Sequence, residues 1–160
     1  MDVQLAKVIQ EITNDILKGV RDIMDSDVGI NQKVGINTLH NSNLYNQIKQ
    51  SWKETSDNVV IDTFFNHYIS YIEWDRPPKY GKMPPVIEII KWLRRKHIVS
   101  SNKNIKSVAY VISRSIWEKG WKGRKVLEAL DKYVDSQFDN RYADMIFDAL
   151  MKEVDDYFTD

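Results

Sequence analysis

Apolar residues recur at three- and four-residue spacing in several stretches of the chain, a pattern that predicts amphipathic helices. The first predicted helix covers residues 3–24, with Asp2 as its N-cap. The second covers residues 86–97, and Pro85 suits its first position because the N–H that proline lacks would have no partner there. Two helices therefore flank a less regular region.

The C-terminal half continues the helical pattern. A third helix is predicted over residues 104–118, with Gly120 as its C-terminal stop. From residue 124 to residue 158 there is no proline or glycine, and the apolar spacing stays near-helical. We expect one or two helices there, with a break near residues 136–141.

The region between the first two helices has a mixed pattern. Residues 25–43 are polar and contain glycine, which predicts a long excursion with one short strand. Ser42 suits the N-cap of a short helix over residues 43–52. The β-branched and aromatic stretch VVIDTFF (59–65) predicts a strand.

The next segment, HYISYIEW (67–74), has a periodicity that does not decide its structure. It fits a short helix that directs Tyr68, Ile69 and Ile72 toward the core, and it also fits a second strand. The pattern alone thus establishes the helices and one clear strand.

Size and composition agree with one soluble domain. A chain of 160 residues can close a single core, and its apolar runs are shorter than the ~20 residues that span a bilayer. The N-terminus MDVQLAKVIQEI has no cleavage site of small residues, so it predicts a helix rather than a signal peptide. The lack of cysteine excludes disulfides, thiolate metal sites and cysteine nucleophiles. We expect no membrane partner.

Charge is strongly segregated along the chain, although the net charge is zero. Residues 1–75 contain 6 Lys and Arg against 11 Asp and Glu, residues 76–125 contain 14 against 2, and residues 126–160 contain 3 against 10. The segments therefore carry −5, +12 and −7. The basic middle suits nucleic acid or an acidic surface of another copy or partner, unless the charges interleave in the folded chain.

The sequence lacks the usual patterns of catalytic and cofactor sites. Its three histidines are scattered, and it has no glycine-rich phosphate loop or nucleophile elbow. Glu73 and Asp75 form a carboxylate pair that in principle suits acid–base work, but Arg76 and Lys79 nearby favour loop ion pairs. We expect a protein that is not an enzyme and has no metal or cofactor.

Basic and aromatic residues are interleaved in residues 76–125, a composition that suits phosphate contact and base stacking. Trp92 and Trp117 lie on or beside helical apolar stripes, however, where core packing is the commoner use. No known DNA-binding motif organises the charges. A small DNA-binding accessory protein is the alternative hypothesis for the function.

All four prolines of the chain lie within WDRPPKYGKMPP (74–85). Pro77 and Pro78 favour extended backbone, Gly81 allows a bend, and Pro84–Pro85 lead into the helix. Each flanking segment contains too few apolar residues to form a core alone. We therefore predict an ordered, semi-rigid turn within a single domain (1–160) rather than a linker.

The stretch YISYIEWDRPPKYGKMPPVIEIIKWLRRKHI (68–98) resembles the neck and minor-tail-component family of tailed bacteriophages, which includes tail-completion and head–tail joining proteins. The resemblance rests on Tyr68 to Glu73, Arg76–Pro77–Pro78, Gly81 to Pro85, Trp92, and Arg94 to Ile98. It continues in SVAYVISRSIWEKGWKGRKVLEAL (107–130) through the helix, the glycine stop at Gly120 and the following segment, and it covers residues 66–130.

The sequence departs from the family pattern at three positions. Asp75 replaces the customary glycine, His97 occupies the glycine of the family's "KGI" tail, and Trp121 follows Gly120. The aspartate indicates that the backbone at residue 75 does not need a positive φ.

The resemblance implies an α+β fold, a helix-rich single domain whose helices pack on a small antiparallel sheet. It implies a non-enzymatic virion protein without cofactors, assembled in the host cytoplasm into a six- or twelve-fold homo-oligomeric ring. Such a ring joins portal or adaptor proteins to the tail around the DNA channel, where non-specific contact with packaged DNA is expected.

Two groups of residues are the candidate contacts of such a subunit. The expected subunit or partner interface consists of Trp74, Arg76, Lys79, Tyr80 and Lys82. The expected contacts with channel DNA or an acidic partner are Lys91, Arg94, Arg95, Lys96, Lys122, Arg124 and Lys125.

Overall fold

The computed structural model of the chain describes residues 3–67, 69–98 and 102–159. The predicted cap at Asp2 and the predicted orientation of Tyr68 lie outside these residues. Within the described ranges, no helix is both long enough and apolar enough to cross a bilayer.

The chain folds into two compact units. Unit 1 comprises Met1–Glu73 and Arg124–Asp160, and unit 2 comprises Trp74–Gly123. The proline-rich segment therefore begins unit 2 and belongs to it, instead of joining two units that follow each other along the chain. Whether the chain unfolds as one domain stays a prediction.

Helices dominate both units, and the fold class is α+β as expected. The elements in chain order are α1 (Val3–Asp25), β1 (Ile30–Asn31), β2 (Ile36–Asn37), α2 (Asn43–Asn46), β3 (Lys49–Glu54), β4 (Val59–Phe64), α3 (Ile69–Glu73), α4 (Val86–Arg95), α5 (Asn102–Lys119), α6 (Val126–Gln137) and α7 (Ala143–Thr159). A π-helical stretch, Phe138–Tyr142, joins α6 to α7, so the regular α-helix is interrupted near residues 136–141, as predicted, while the backbone stays helical.

The core of unit 1 forms around α1. Its buried side includes Ile12, Ile16 and Val20, which recur at four-residue spacing. Buried residues of the C-terminal helices, among them Leu130 and the fully buried Tyr142, belong to the same cluster. Each aliphatic side chain buried in this way stabilises the fold by about 1.5–3 kcal/mol.

Two antiparallel two-stranded ribbons, β1–β2 and β3–β4, form the β structure described in unit 1. The strand predicted over residues 59–65 is confirmed as β4, and Ser42 caps α2 by accepting a hydrogen bond from Tyr45 N–H. The helix predicted over residues 43–52 is wrong beyond residue 46. Residues 49–52 instead begin β3, because pairing with β4 satisfies their backbone groups.

Unit 2 is a helical hairpin with its own small core. Ile90 and Leu93 of α4 pack with Ile105 and Ala109 of α5. Buried Ser113 donates a hydrogen bond to the carbonyl of Pro84, which ties the start of α4 to α5. The two predicted helices and the stop at Gly120, whose φ is +61°, are confirmed.

The C-terminus of α4 ends in a Schellman motif that contains no glycine. Ile98 N–H donates to Leu93 O at 3.3 Å, and His97 N–H donates to Arg94 O at 3.2 Å. His97 has φ +52°, a left-handed conformation that glycine adopts at lower cost. The histidine therefore adopts the left-handed conformation that glycine usually provides after a helix end.

Candidate interaction surface

The proline-rich segment is held against the end of α5 by backbone hydrogen bonds. Arg76 N–H donates to Trp121 O at 2.9 Å, and Trp121 N–H donates to Arg76 O at 3.0 Å. This two-way pair is an isolated antiparallel bridge. The segment thus has fixed backbone partners at its start.

A tight turn follows the bridge. Tyr80 N–H donates to Pro77 O at 3.3 Å, and Lys79 lies between them with φ +60°. Proline at the second position and a positive φ at the third are typical of a type II turn. Lys79 N–H also donates to Trp117 O at 2.6 Å, so the turn is tied to α5.

The side chain of Arg76 organises the inside of this loop. Its Nη2 donates to Tyr80 O at 3.0 Å and to Lys82 O at 2.5 Å. The guanidinium lies over the ring of Trp121, 5.2 Å from the ring centroid. The indole N–H of Trp117 donates to Gly81 O at 2.9 Å. These contacts fix three consecutive carbonyls of the loop.

Gly120 permits the close approach of the loop to α5. A Cβ at this position would lie 2.0 Å from Arg76 O and 3.0 Å from Pro77 C, distances that a side chain cannot adopt without a backbone shift. Its φ of +61° also belongs to the left-handed region. Two separate constraints therefore favour glycine here.

Asp75, just before the bridge, joins the start of the segment to residues 122 and 123. Its carboxylate accepts from Gly123 N–H at 2.6 Å and lies 3.7 Å from Lys122 Nζ. The described residues with positive φ do not include Asp75, which confirms the inference from its replacement of glycine. The indole N–H of Trp121 donates to Trp74 O at 3.2 Å.

Four of the five predicted interface residues expose their side chains. Trp74 is 64% exposed and Tyr80 is 68% exposed, and Lys79 and Lys82 are exposed beside them. Arg76 is half-buried and bonded to the loop itself. The structure therefore brings Trp74, Lys79, Tyr80 and Lys82 together on one ordered loop. Arg76 instead stabilises this loop through its hydrogen bonds.

The seven residues predicted to contact DNA or an acidic partner do not form one group. Five belong to unit 2 and are exposed: Lys91, Arg94, Arg95, Lys96 and Lys122. Lys91 pairs with Glu88 at 2.8 Å. Lys125 is exposed, but it lies at the N-cap of α6 in unit 1.

Arg124 has a structural position in unit 1. Its Nη1 donates to the carbonyl of Gly29 at 3.2 Å and to Thr38 Oγ1. Burial lowers the pKa of this guanidinium. Its hydrogen bonds join the start of α6 to the β1–β2 region, so we expect it to support the fold of unit 1.

The two units have opposite charge. Unit 2 contains 12 Lys and Arg against 3 Asp and Glu, a net charge of +9, and unit 1 contains the other 11 against 20, a net charge of −9. The segregation of charge along the sequence therefore coincides with the division into folded units.

Glu73 does not belong to a carboxylate pair with Asp75. Both of its oxygens accept backbone N–H groups at the start of α6, from Leu127 at 2.8 Å and from Glu128 at 3.1 Å. The loop ion pairs expected for Glu73 are thus replaced by helix capping. Among the described residues, no three His, Asp or Glu side chains lie close enough together to hold a metal ion.

Trp117 and Trp121 are the important residues of this surface that the sequence did not assign to it. The basic and aromatic composition suggested base stacking, whereas the structure uses both indole N–H groups to hold loop carbonyls. The WEKGW spacing around Gly120 was the available signal, since it places both rings next to a helix end.

Comparison of the chain with protein-family models, with curated proteins and with solved structures finds no match.

Proposed function

We propose that this chain is a structural subunit of the neck or tail top of a tailed bacteriophage. It forms a homo-oligomeric ring, six- or twelve-fold, that joins portal or adaptor proteins to the tail around the DNA channel in the virion. It acts by binding neighbouring proteins and carries out no chemical reaction.

The observation that carries this proposal is the place of the resembling residues in unit 2. The resemblance covers residues 66–130, which include the whole of unit 2. Arg76, Gly81 and Gly120 are among the residues that carry it, and they also make the contacts that shape the exposed loop. The similarity therefore lies in residues that define a local structure, which composition alone would not produce.

The charge of the two units supports ring assembly. In a closed ring each subunit meets its neighbours through two different surfaces. Unit 1 at −9 and unit 2 at +9 supply surfaces of opposite sign on every copy. Complementary charge favours such head-to-tail contact and disfavours contact between like surfaces.

The ordered loop supports a binding role. Its backbone is held by Arg76, Trp117 and Trp121, so little conformational entropy is lost when the loop binds a partner. Lys79 keeps a left-handed conformation that glycine would adopt at less cost. A strained, exposed lysine at the tip of a rigid turn indicates that its side chain has a use beyond folding.

Reconstitution tests the proposal. The chain is mixed with the portal, adaptor and tail proteins of the same phage, and products are examined by light scattering and electron microscopy. We expect a ring of defined size and its presence in purified particles. A chain that stays monomeric with these proteins and is absent from particles contradicts the proposal. A monomer that retards duplex DNA, with steep salt dependence, supports the DNA-binding alternative instead.

Loop variants test the interface itself. Lys79→Gly combined with Tyr80→Ser and Lys82→Ser keeps the backbone of the turn, so the melting temperature should hardly change while assembly weakens. Lys33→Ser with Val34→Ser, in the exposed turn between β1 and β2, is the matched control and should assemble normally. Equal assembly of both variants contradicts the loop's role.

A further inference from the structure

Helix α7 has a row of large apolar side chains that no described part of unit 1 covers. Tyr157 is 81% exposed, Phe158 79% and Phe147 60%. Three- and four-residue spacing places the whole row on one side of the helix. The α7 strip consists of Phe147, Leu150, Met151, Val154, Tyr157 and Phe158.

The other side of α7 already serves the core of unit 1. Ala149 is buried, and Met145 and Ile146 pack against the main cluster. A surface helix needs one apolar stripe to pack on its own protein, and α7 has two. A contiguous row of six exposed apolar side chains is typical of an interaction site.

The charge on α7 indicates what kind of partner covers the strip. The helix contains Asp144, Asp148, Glu153, Asp155 and Asp156 against Lys152 alone, a net charge of −4. Two copies of α7 packed against each other would place two helices of net charge −4 side by side, and their repulsion is unfavourable. A basic partner surface that also exposes apolar side chains fits the strip.

Unit 2 offers such a surface. Ile87 of α4 is 56% exposed, and Tyr110 of α5 is 48% exposed. Basic side chains lie on the same two helices. The basic hairpin face consists of Ile87, Lys91 and Arg94 on α4 and of Lys106, Tyr110 and Arg114 on α5, which share one side of each helix because they recur at three- and four-residue spacing. Lys91 and Arg114 form ion pairs with Glu88 and Glu118, which neutralise part of the charge of this face. The net charge of unit 2 as a whole is +9.

We infer that the α7 strip of one copy binds the basic hairpin face of a second copy. This inference rests on the proposed ring and names the contact that builds it. Each copy has one strip and one hairpin face, so the contact repeats from subunit to subunit in one direction. Apolar side chains supply the affinity, and the flanking charges set the orientation.

Polar substitution of the strip is the first test. Leu150→Gln, Val154→Gln and Tyr157→Gln together keep helix propensity and should abolish the multimer, or weaken self-association at least about tenfold, without lowering the melting temperature. Val34→Gln with Ile36→Gln changes two equally exposed apolar residues of unit 1 and should leave the multimer intact. A multimer that survives the triple substitution overturns the inferred contact and leaves the proposed function standing.

Cross-linking identifies the occupant, because the natural chain has no cysteine to give a background. Val154→Cys and Tyr110→Cys are prepared as separate chains and mixed with a short thiol-reactive cross-linker. We expect cross-linked dimers in the mixture and none from either chain alone. Dimers from Val154→Cys alone show α7 against α7 and overturn the inference. An intact multimer without cross-links in the mixture also overturns it. A wild-type chain that stays monomeric with its virion neighbours removes the proposed ring and this contact together.

Discussion

Glu73 and Leu127 are joined by a hydrogen bond of 2.8 Å between the carboxylate of one and the backbone N–H of the other, 54 residues apart along the chain. Glu73 is only 4% exposed. The residue at the N-cap of α6, Lys125, provides no side-chain cap of its own. The carboxylate at the end of α3 therefore satisfies the first N–H groups of α6 and complements the positive end of its dipole.

Removal of this cap should destabilise unit 1. Glu73→Ala leaves two backbone N–H groups without their charged acceptor, and we expect the free energy of unfolding to fall by about 2 kcal/mol. Glu73→Gln keeps one acceptor oxygen and should cost less. Urea denaturation measures both, with the exposed Glu11→Gln as control. Equal stability of Glu73→Ala and the wild type contradicts the capping role.

Asp15 should make the stability of unit 1 dependent on acid pH. Burial by itself raises the pKa of Asp15, but hydrogen bonds from Tyr142, Arg141 and Tyr133 outweigh it and hold the pKa below its ordinary value. A carboxylate with a lowered pKa in the folded state contributes stability above its unfolded pKa, near about 4, and this contribution is lost as pH falls through the folded-state pKa.

Asp15→Asn removes this contribution. The unfolding free energy of the wild type should therefore fall more steeply than that of Asp15→Asn as the pH is lowered below about 4. At neutral pH the variant should be the less stable of the two. Denaturation curves at matched ionic strength measure this difference, and parallel pH profiles would rule out the role assigned to Asp15.

Gly120 and Gly81 provide a matched pair, because both have a positive φ but different surroundings. A Cβ at Gly120 meets Arg76 O at 2.0 Å, whereas a Cβ at Gly81 meets nothing within 4 Å. Gly81→Ala should cost only the left-handed strain, about 1–2 kcal/mol. Gly120→Ala adds a backbone clash and should cost clearly more. Similar melting temperatures for the two variants contradict the close approach of the loop to α5.

His97→Gly should stabilise unit 2. The φ of His97 is +52°, and relief of the strain outweighs the extra entropy that glycine has in the unfolded chain, so we expect a gain of up to about 1 kcal/mol. The exposed Lys96→Gly, at a residue with φ −87°, is the control and should destabilise. A lower melting temperature for His97→Gly than for the wild type refutes the Schellman assignment.

Replacement of Pro77 and Pro78 by glycine tests whether loop stiffness serves assembly. The turn keeps its hydrogen bonds from Tyr80 N–H and to Trp117 O, but the unbound loop gains flexibility that binding must remove. Assembly should weaken more than the melting temperature falls. Proportional losses of both would indicate that the segment is a connector.

The sequence was informative where structure depends on local interactions. Helical hydrogen bonds join residues four apart, so apolar spacing predicted α1, α4 and α5 to within a few residues. Gly120 and Ser42 act within one turn of a helix end and were also predictable. The opposite charges of the two units were visible as segments of the chain before the fold was known.

Tertiary structure decided the features that depend on distant partners. Residues 49–52 are a strand because β4 satisfies their backbone groups, and Glu73 is a cap because α6 starts beside it. The near-helical apolar spacing of residues 124–158 includes both Ala149 and Leu150, but only packing against α1 decides that Ala149 is buried while Leu150 stays 42% exposed. The sequence by itself determined the long helices α1, α4 and α5 and where charge lies along the chain. Which apolar side chains stay uncovered was decided by the tertiary structure, because burial depends on contacts between segments that are far apart along the chain.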